Sequence, residues 1–334
     1  MNNTPHIEVL DCCDASRRDF LKTTGAGLTL AAAGPLASVA LAEKKKKVAT
    51  PETLSAKLYK SLNETQREAI CFPWDHPLRG AVNNNWHITK IGVGDMEDDQ
   101  IEMTKAIFNG LHSDEYRKVV MGQVESDHGK AGFDDTSIAF FGEPGTGKFE
   151  FVLTGRHVTR RADGDTIEGA AFGGPIFYGH AAKSFNEKPG HEGNAYWYQA
   201  KRANEVYKML DGKQREKALL PKGRPEQKNA TVKLSGKKRG LPGVRAGDLS
   251  KDQKEHMLKA LGDVLALFRK KDVDESMKLI KANGIDNLHL AFFKNGDIGN
   301  DGIWDVWQLE GPAMVLYFRG APHVHTWLHI REKA

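Results

Sequence analysis

Four residues near one end of the chain could do chemistry together. They lie in the segment Pro322-His323-Val324-His325-Thr326-Trp327-Leu328-His329-Ile330. In a strand, alternation puts His323, His325, Trp327 and His329 on one face and Val324, Thr326, Leu328 and Ile330 on the other. The apolar set accounts for burial. Histidine is a poor core residue, so the opposite face is expected to line a pocket or a metal site. An H-x-H pair on a strand offers one cation two imidazoles, and zinc or copper wants three or four ligands. The third candidate is His157, closing Phe151-Val152-Leu153-Thr154-Gly155-Arg156-His157 on another patterned strand. These residues predict a mononuclear site formed by His157, His323 and His325. His180, His329 and Arg156 are additional candidates, and His128, His87 and Glu310 are further donors within the sequence. Copper or zinc suits imidazole ligands, with iron as the third choice. The bland alternative is a set of surface or hydrogen-bonded histidines, the usual state of a lone histidine.

Two other motifs carry less. Gly142-Glu143-Pro144-Gly145-Thr146-Gly147-Lys148 has the spacing of a phosphate-binding loop. Phe149 stands where Ser or Thr is needed, and a strand follows where a helix N-terminus is needed, so a hairpin turn is expected. Asn295–Gly302 hints at a calcium loop but lacks the closing bidentate Glu, and reads as a turn. No G-x-S-x-G elbow, C-x-x-C-H haem site or H-E-x-x-H helix is present.

The elements that must position the histidines follow from caps and periodicity. The pattern Leu62-Asn63…Gln66-Arg67-Glu68 recurs at Leu210-Asp211…Gln214-Arg215-Glu216 and at Leu249-Ser250…Gln253-Lys254-Glu255. Asn63, Asp211 and Ser250 are good N-caps, and each Gln can reach back to complete a capping box. The copies are spaced too irregularly for a solenoid and mark helix starts. Helices are predicted over Pro51–Leu62, Asn63–Cys71, Asp99–Leu111, Asp114–Ser126, Tyr196–Leu220 with a break at Asp211-Gly212, Lys251–Lys270 and Asp274–Asn283. Strands are predicted over Thr136–Phe141, Lys148–Arg160, Thr166–Phe172, Asn287–Lys294, Trp304–Leu309, Ala313–Phe318 and His323–Ile330. Helices and strands are grouped rather than alternating, which predicts an α+β fold with an antiparallel meander in a single large domain over residues 51–334.

Ahead of that domain, Ser16-Arg17-Arg18-Asp19-Phe20-Leu21-Lys22 matches the twin-arginine export signal position for position. A weakly apolar stretch, Thr23–Ala42, follows and closes on an A-x-A cleavage signal, Ala40-Leu41-Ala42. Its Ala, Gly and Thr content and Gly34-Pro35 argue against a membrane anchor. Residues 1–42 therefore read as a signal, 43–50 as a Lys-rich tether, and the mature chain is expected to be soluble, periplasmic or secreted, with no stable membrane span. The expected partner is the twin-arginine translocation machinery, which moves folded cargo. Cys12 and Cys13 fall in the signal, so Cys71 is the only mature cysteine and no internal disulfide can form, consistent with folding in a reducing compartment. The chain has a formal net charge of +4, and its basic excess gathers in Lys44–Lys47 and in Lys222–Arg245, read as a long surface loop. Neither patch interleaves aromatics for base stacking, which argues against nucleic acid.

The chain also resembles a bacterial family catalogued as domain of unknown function 3500. The similarity is carried by Phe72-Pro73-Trp74-Asp75-His76-Pro77-Leu78-Arg79, Asn85-Trp86-His87, Phe141–Phe149 leading to Gly155-Arg156-His157, Pro175-Ile176-Phe177-Tyr178-Gly179, Gly311-Pro312 and His323-Val324-His325. Where the family has G-H-H, this chain has Arg156 in place of the first histidine, and it carries His329-Ile330 where the family tends to Arg-Asp. If that first histidine is a ligand in relatives, His180 or His329 is its expected replacement here. The resemblance supports the residues and implies no activity. On the residues, the expectation is an exported metalloenzyme acting on an unidentified small molecule, redox rather than hydrolytic. The alternatives are a metal carrier or sensor, or a structural or partner-binding domain without metal. Trp327, Trp304 and Trp307 could wall the pocket or serve only as core aromatics.

Overall fold

Three reciprocal capping boxes start helices where the repeated pattern places them. Asn63 pairs with Gln66, Asp211 with Gln214 and Ser250 with Gln253, each side chain accepting the other's backbone N–H. Such caps contribute about 1 kcal/mol each. In the computed structural model, which describes residues 49–164, 166–180, 195–297 and 301–334, the described helices are α1 (Pro51–Ser61), α2 (Glu64–Ile70), α3 (Asp98–Gly110), α4 (Arg117–Asp127), α5 (Tyr198–Met209), α6 (Gly212–Ala218), α7 (Lys251–Leu265) and α8 (Lys270–Asn283). The signal segment and part of Asn295–Gly302 lie outside the described residues.

Among the described residues, eleven strands form one sheet: β1 (Cys71–Phe72), β2 (Ser137–Gly142), β3 (Phe149–Gly155), β4 (Val158–Ala162), β5 (Ile176–His180), β6 (Leu219–Leu220), β7 (Val244–Arg245), β8 (His289–Phe293), β9 (Val306–Gly311), β10 (Met314–Arg319) and β11 (Val324–Ile330). The fold is α+β, as the grouping of elements predicts. The spatial order is β1-β2-β3-β4-β5-β11-β10-β9-β8-β6, with β7 beside β8. Pairing is antiparallel except at the two ends, where β1 runs parallel to β2 and β6 parallel to β8.

That order is a palindrome, and the chain spells it twice. Each half runs helix, helix, short strand, then two more helices and a four-stranded meander, the second half adding the short strand β7 before α7. Local chemistry repeats with it. Arg67 lies over the Tyr59 ring at 4.6 Å and Arg215 over Tyr207 at 5.4 Å, each also bonding that tyrosine's carbonyl. Gln66 and Gln100 exchange side-chain hydrogen bonds between α2 and α3, as Gln214 and Gln253 do between α6 and α7. Of the recurrences read as helix starts, Asn63 and Asp211 are corresponding corners of two like halves, and Ser250 at the start of α7 answers to Glu97 at the start of α3; the halves meet where β5 pairs with β11.

The sheet is covered on both faces. Val324, Leu328 and Ile330 pack with the helices, whereas Trp327 packs with Phe177, Val315 and Tyr317 on the other face. Irregular chain covers that second face, and Val82 and Val232 are its buried plugs. The segment Lys222–Arg245 is thus more than a surface loop. It contains a 3₁₀ turn, Lys228–Val232, and Arg224 ties it down through Gln308 and Glu310 at 2.8 and 2.6 Å.

Two strand readings are corrected. Lys148–Arg160 is two strands joined by a tight corner, because Gly155 pairs with Val158 across Arg156-His157. Thr166–Phe172 is not a strand: Gly169, Gly173 and Gly174 adopt positive φ, and a 3₁₀ turn covers Ala171–Gly173. The strand in this region is instead β5, whose Ile-Phe-Tyr run is shorter and begins directly after Pro175. Gly142–Lys148 is the hairpin turn expected, joining antiparallel β2 and β3. Cys71 is half-buried on β1, and burial pushes its thiol up to about 11.

Candidate metal centre

The corner between β3 and β4 carries His157. Its φ is 58°, the left-handed region that histidine enters more readily than most residues. The corner is held from three sides. Asn84 O accepts from His157 N–H at 2.8 Å, His157 O accepts from Gly179 N–H at 3.1 Å, and the Arg156 N–H donates to His128 Nε2 at 2.9 Å. Two glycines make this possible. A Cβ on Gly155 would stand 2.6 Å from His128 Nε2, and one on Gly179 would stand 2.3 Å from Val324 O. The glycine of the G-R-H motif therefore admits the His128 ring, which anchors the corner from the end of α4.

β11 pairs with β5 in a register that sets His325 opposite Gly179 and Val324 opposite His180. His325 shares the Trp327 face, and His323 precedes the strand by one residue. Among the described residues, His157, His323 and His325 are brought together so that one ligand atom from each lies within 4.8 Å of the other two. The rings of His323 and His325 lie 5.0 Å from that of His157, centroid to centroid. All three are buried, at 5%, 7% and 4% exposure, so water does not compete freely for the nitrogens. His323 Nε2 and His325 Nε2 stand 2.9 Å apart. Two bonds of about 2.05 Å meeting at roughly a right angle would end at such a separation.

Two carboxylates back this group. His157 Nδ1 donates to Asp127 Oδ2 at 2.9 Å, and His325 Nδ1 donates to Glu226 Oε2 at 2.5 Å. Each bond places the proton on Nδ1 and leaves Nε2 bare toward the cluster, the arrangement that outer carboxylates give metal-bound histidines. Asp127 also accepts from His180 Nδ1 at 3.1 Å. Burial opposes its ionisation, but the hydrogen bonds from His157 and His180 win and hold its carboxyl down to about 2. Glu226 is pushed up by burial against the pull of Arg319, its ion-pair partner at 2.7 Å.

The other candidates have different places. His329 Nδ1 bonds Val232 O at 3.1 Å, and the residue is not part of the cluster. Arg156 donates to the Asp127 carbonyl at 3.2 Å. His87 is half-exposed against Asp135, and Glu310 is buried with Arg224 and Gln308. Trp307 stacks on Phe318 in the helix-side core, and Trp304 packs edge-on to Tyr207. Trp327 packs on Phe177, whose ring meets His325. Sequence reasoning missed Asp127 and Glu226 as supports. Glu226 did leave a signal, being the lone acid in the otherwise basic run Lys222–Arg245.

Burial keeps the imidazoles neutral. His323 is pushed down to about 3 by burial and then by neighbouring His325, and His325 is held well below its ordinary range by burial and Arg319. An unfolded chain protonates such a histidine near 6.5, so from 6.5 down to about 3 the unfolded state binds more protons. Stability must therefore fall as pH is lowered through that window. In urea unfolding of the metal-free protein, each such histidine should contribute up to about 1.4 kcal/mol per pH unit. His323→Phe should flatten the dependence; an unchanged slope would assign it elsewhere.

These features define an α+β protein with a buried triad of histidines braced by carboxylates. Residues 44–332 match the family described as "Protein of unknown function (DUF3500)", and the chain belongs to that family. No curated protein matches the chain, and no solved structure does. No helix among the described residues is long and apolar enough to cross a membrane.

Proposed function

We propose that this is an exported metalloprotein whose mononuclear centre is held by His157, His323 and His325, and that it works as an enzyme, redox rather than hydrolytic. The convergence of three buried imidazoles from distant parts of the chain carries the reading. Three protein ligands leave at least one position for an exogenous molecule, the arrangement of catalytic rather than closed structural sites. Copper or zinc fits the neutral nitrogen set, with iron third; of these, copper and iron can carry a redox step and zinc cannot, so zinc in the native protein would favour the carrier or a hydrolytic role. Export rests on Ser16–Lys22 and Ala40–Ala42. The twin-arginine route accepts cargo already folded around a metal, which favours redox chemistry. A carrier or sensor would use the same ligands without turnover.

One experiment addresses both parts. Wild-type chain recovered from outside the cytoplasm should be cleaved and carry about one metal ion, by elemental analysis. The precursor with Arg17→Lys and Arg18→Lys should stay uncleaved in the cytoplasm. Normal export of that variant would remove the twin-arginine reading, and metal-free wild type would remove the centre.

A further inference from the structure

The two like halves repeat their strand register. Gly155 pairs with Val158 and Gly311 with Met314 across two-residue corners, and Val158 then pairs with Tyr178 as Met314 does with Ile330. Phe177 in the first half therefore answers to His329 in the second, and Gly179 to Arg331. Counting back along the two strands, His325 answers to Gly173. In the first half the Phe177 ring packs on the His325 ring, with 5.2 Å between centroids. In the second, His329 and Gly173 instead border a cavity of about 500 Å³, a size common among small-molecule sites. Where one half has a histidine cluster, the other has open space.

That space is basic. Arg79, Lys233, His329 and Arg331 border it, and no Asp or Glu does. Ala334 alone among the lining residues offers a negative charge, as a terminal carboxylate. Arg79 is engaged with Glu150 at 3.3 Å and lies over the Trp74 ring. Lys233 and Arg331 make no ion pair among the described residues. His329 donates from Nδ1 to Val232 O, and its ring is pushed down to about 4 by burial and then by the charges of Arg331 and Arg161. The positive charge of the cavity therefore rests on the arginines and Lys233. Ile167, Pro175 and Leu234 give it apolar walls. Four residues of extended β11, roughly 13 Å, separate His329 from His325.

We propose that this cavity is a second ligand site, separate from the histidine cluster, for a small organic acid. Its carboxylate lies between Arg331 and Lys233, and its apolar body lies against Ile167, Pro175 and Leu234. The planar fork of Arg331 matches a carboxylate, and the ligand brings the counter-charge that the lining lacks.

The test titrates benzoate into the metal-free protein by calorimetry, with benzyl alcohol and inorganic phosphate as comparison probes. Benzoate should bind saturably, phosphate more weakly and benzyl alcohol not measurably. Lys233→Gln with Arg331→Gln should weaken benzoate at least about tenfold, through lost charge-assisted hydrogen bonds. Both side chains are exposed, so the fold should tolerate the change. Should the double variant fail to fold, Arg331→Gln alone carries the comparison. Arg331→Lys, which keeps the charge and loses the fork, should fall between. His323→Ala with His325→Ala should bind benzoate within about twofold of wild type. No saturable benzoate binding by wild type would overturn the proposal, as would unchanged affinity in the glutamine variant. Equal binding of benzyl alcohol would reduce the cavity to an apolar one, and tighter binding of phosphate would overturn the organic-acid class. Loss of benzoate from the folded histidine variant would overturn the second site by moving the ligand to the cluster.

Discussion

Replacing His323 and His325 together with alanine should take bound metal from about one ion per chain to none, because a single imidazole cannot hold zinc or copper against water. The fold should survive. The apolar side of β11, Val324, Leu328 and Ile330, packs with the helices and is untouched by the change. The variant should also lose the rise in melting temperature that metal gives the wild type, since an ion bound only to the folded state stabilises it by mass action. Full metal content in a well-folded double variant would reduce the cluster to hydrogen-bonded histidines and put a metal-free binding domain ahead.

Asp127→Ala is the second large effect. The carboxylate meets both His157 and His180 inside the protein, so its removal leaves two buried N–H groups without an acceptor. Each such orphan costs about 1–3 kcal/mol. Losing the outer carboxylate of a ligand also typically weakens metal affinity by about 10- to 100-fold. We therefore expect an earlier urea midpoint together with weaker metal binding in competition with a chelator. Asp127→Asn, which can accept from only one ring at a time, should fall between. Unchanged affinity in Asp127→Ala would show that His157 needs no bracing, or is no ligand.

Much of this arrangement was legible in local patterns. Asn63, Asp211 and Ser250 declare their helices because caps are decided within four residues. The alternation from His323 to Ile330 separates the two faces of β11, since a strand's period is fixed at two. The corner at Arg156-His157 was not legible. An unbroken run of strand-forming residues hides a two-residue turn whose only clue is Gly155, and that glycine is required by the distant ring of His128. Asp127 and Glu226 were hidden for a related reason. A carboxylate's partner is set by tertiary approach, and nothing in Ser126-Asp127-His128 or Pro225-Glu226-Gln227 says which ring it will meet.

The palindromic sheet gives the histidine cluster a meaning beyond coordination. The corner Arg156-His157 has a twin in Pro312-Ala313, where Gly311 pairs with Met314 and Ala313 O accepts from Arg331 N–H at 2.8 Å. One twin bears a histidine and the other does not, so the two halves are alike in scaffold and unlike in chemistry. The cluster and the groups that back it are drawn from both. His157, Asp127 and His180 come from the first half, and His323, His325 and Glu226 from the second. An ion there would act as a rivet across the β5–β11 seam, adding to ties the halves already share, such as the Arg269–Glu52 ion pair at 2.6 Å and the hydrogen bond from Tyr178 to Gln199 at 2.7 Å. Loading and seam integrity would then be one property: whatever pries β5 from β11 releases the ion, and whatever removes the ion loosens the join.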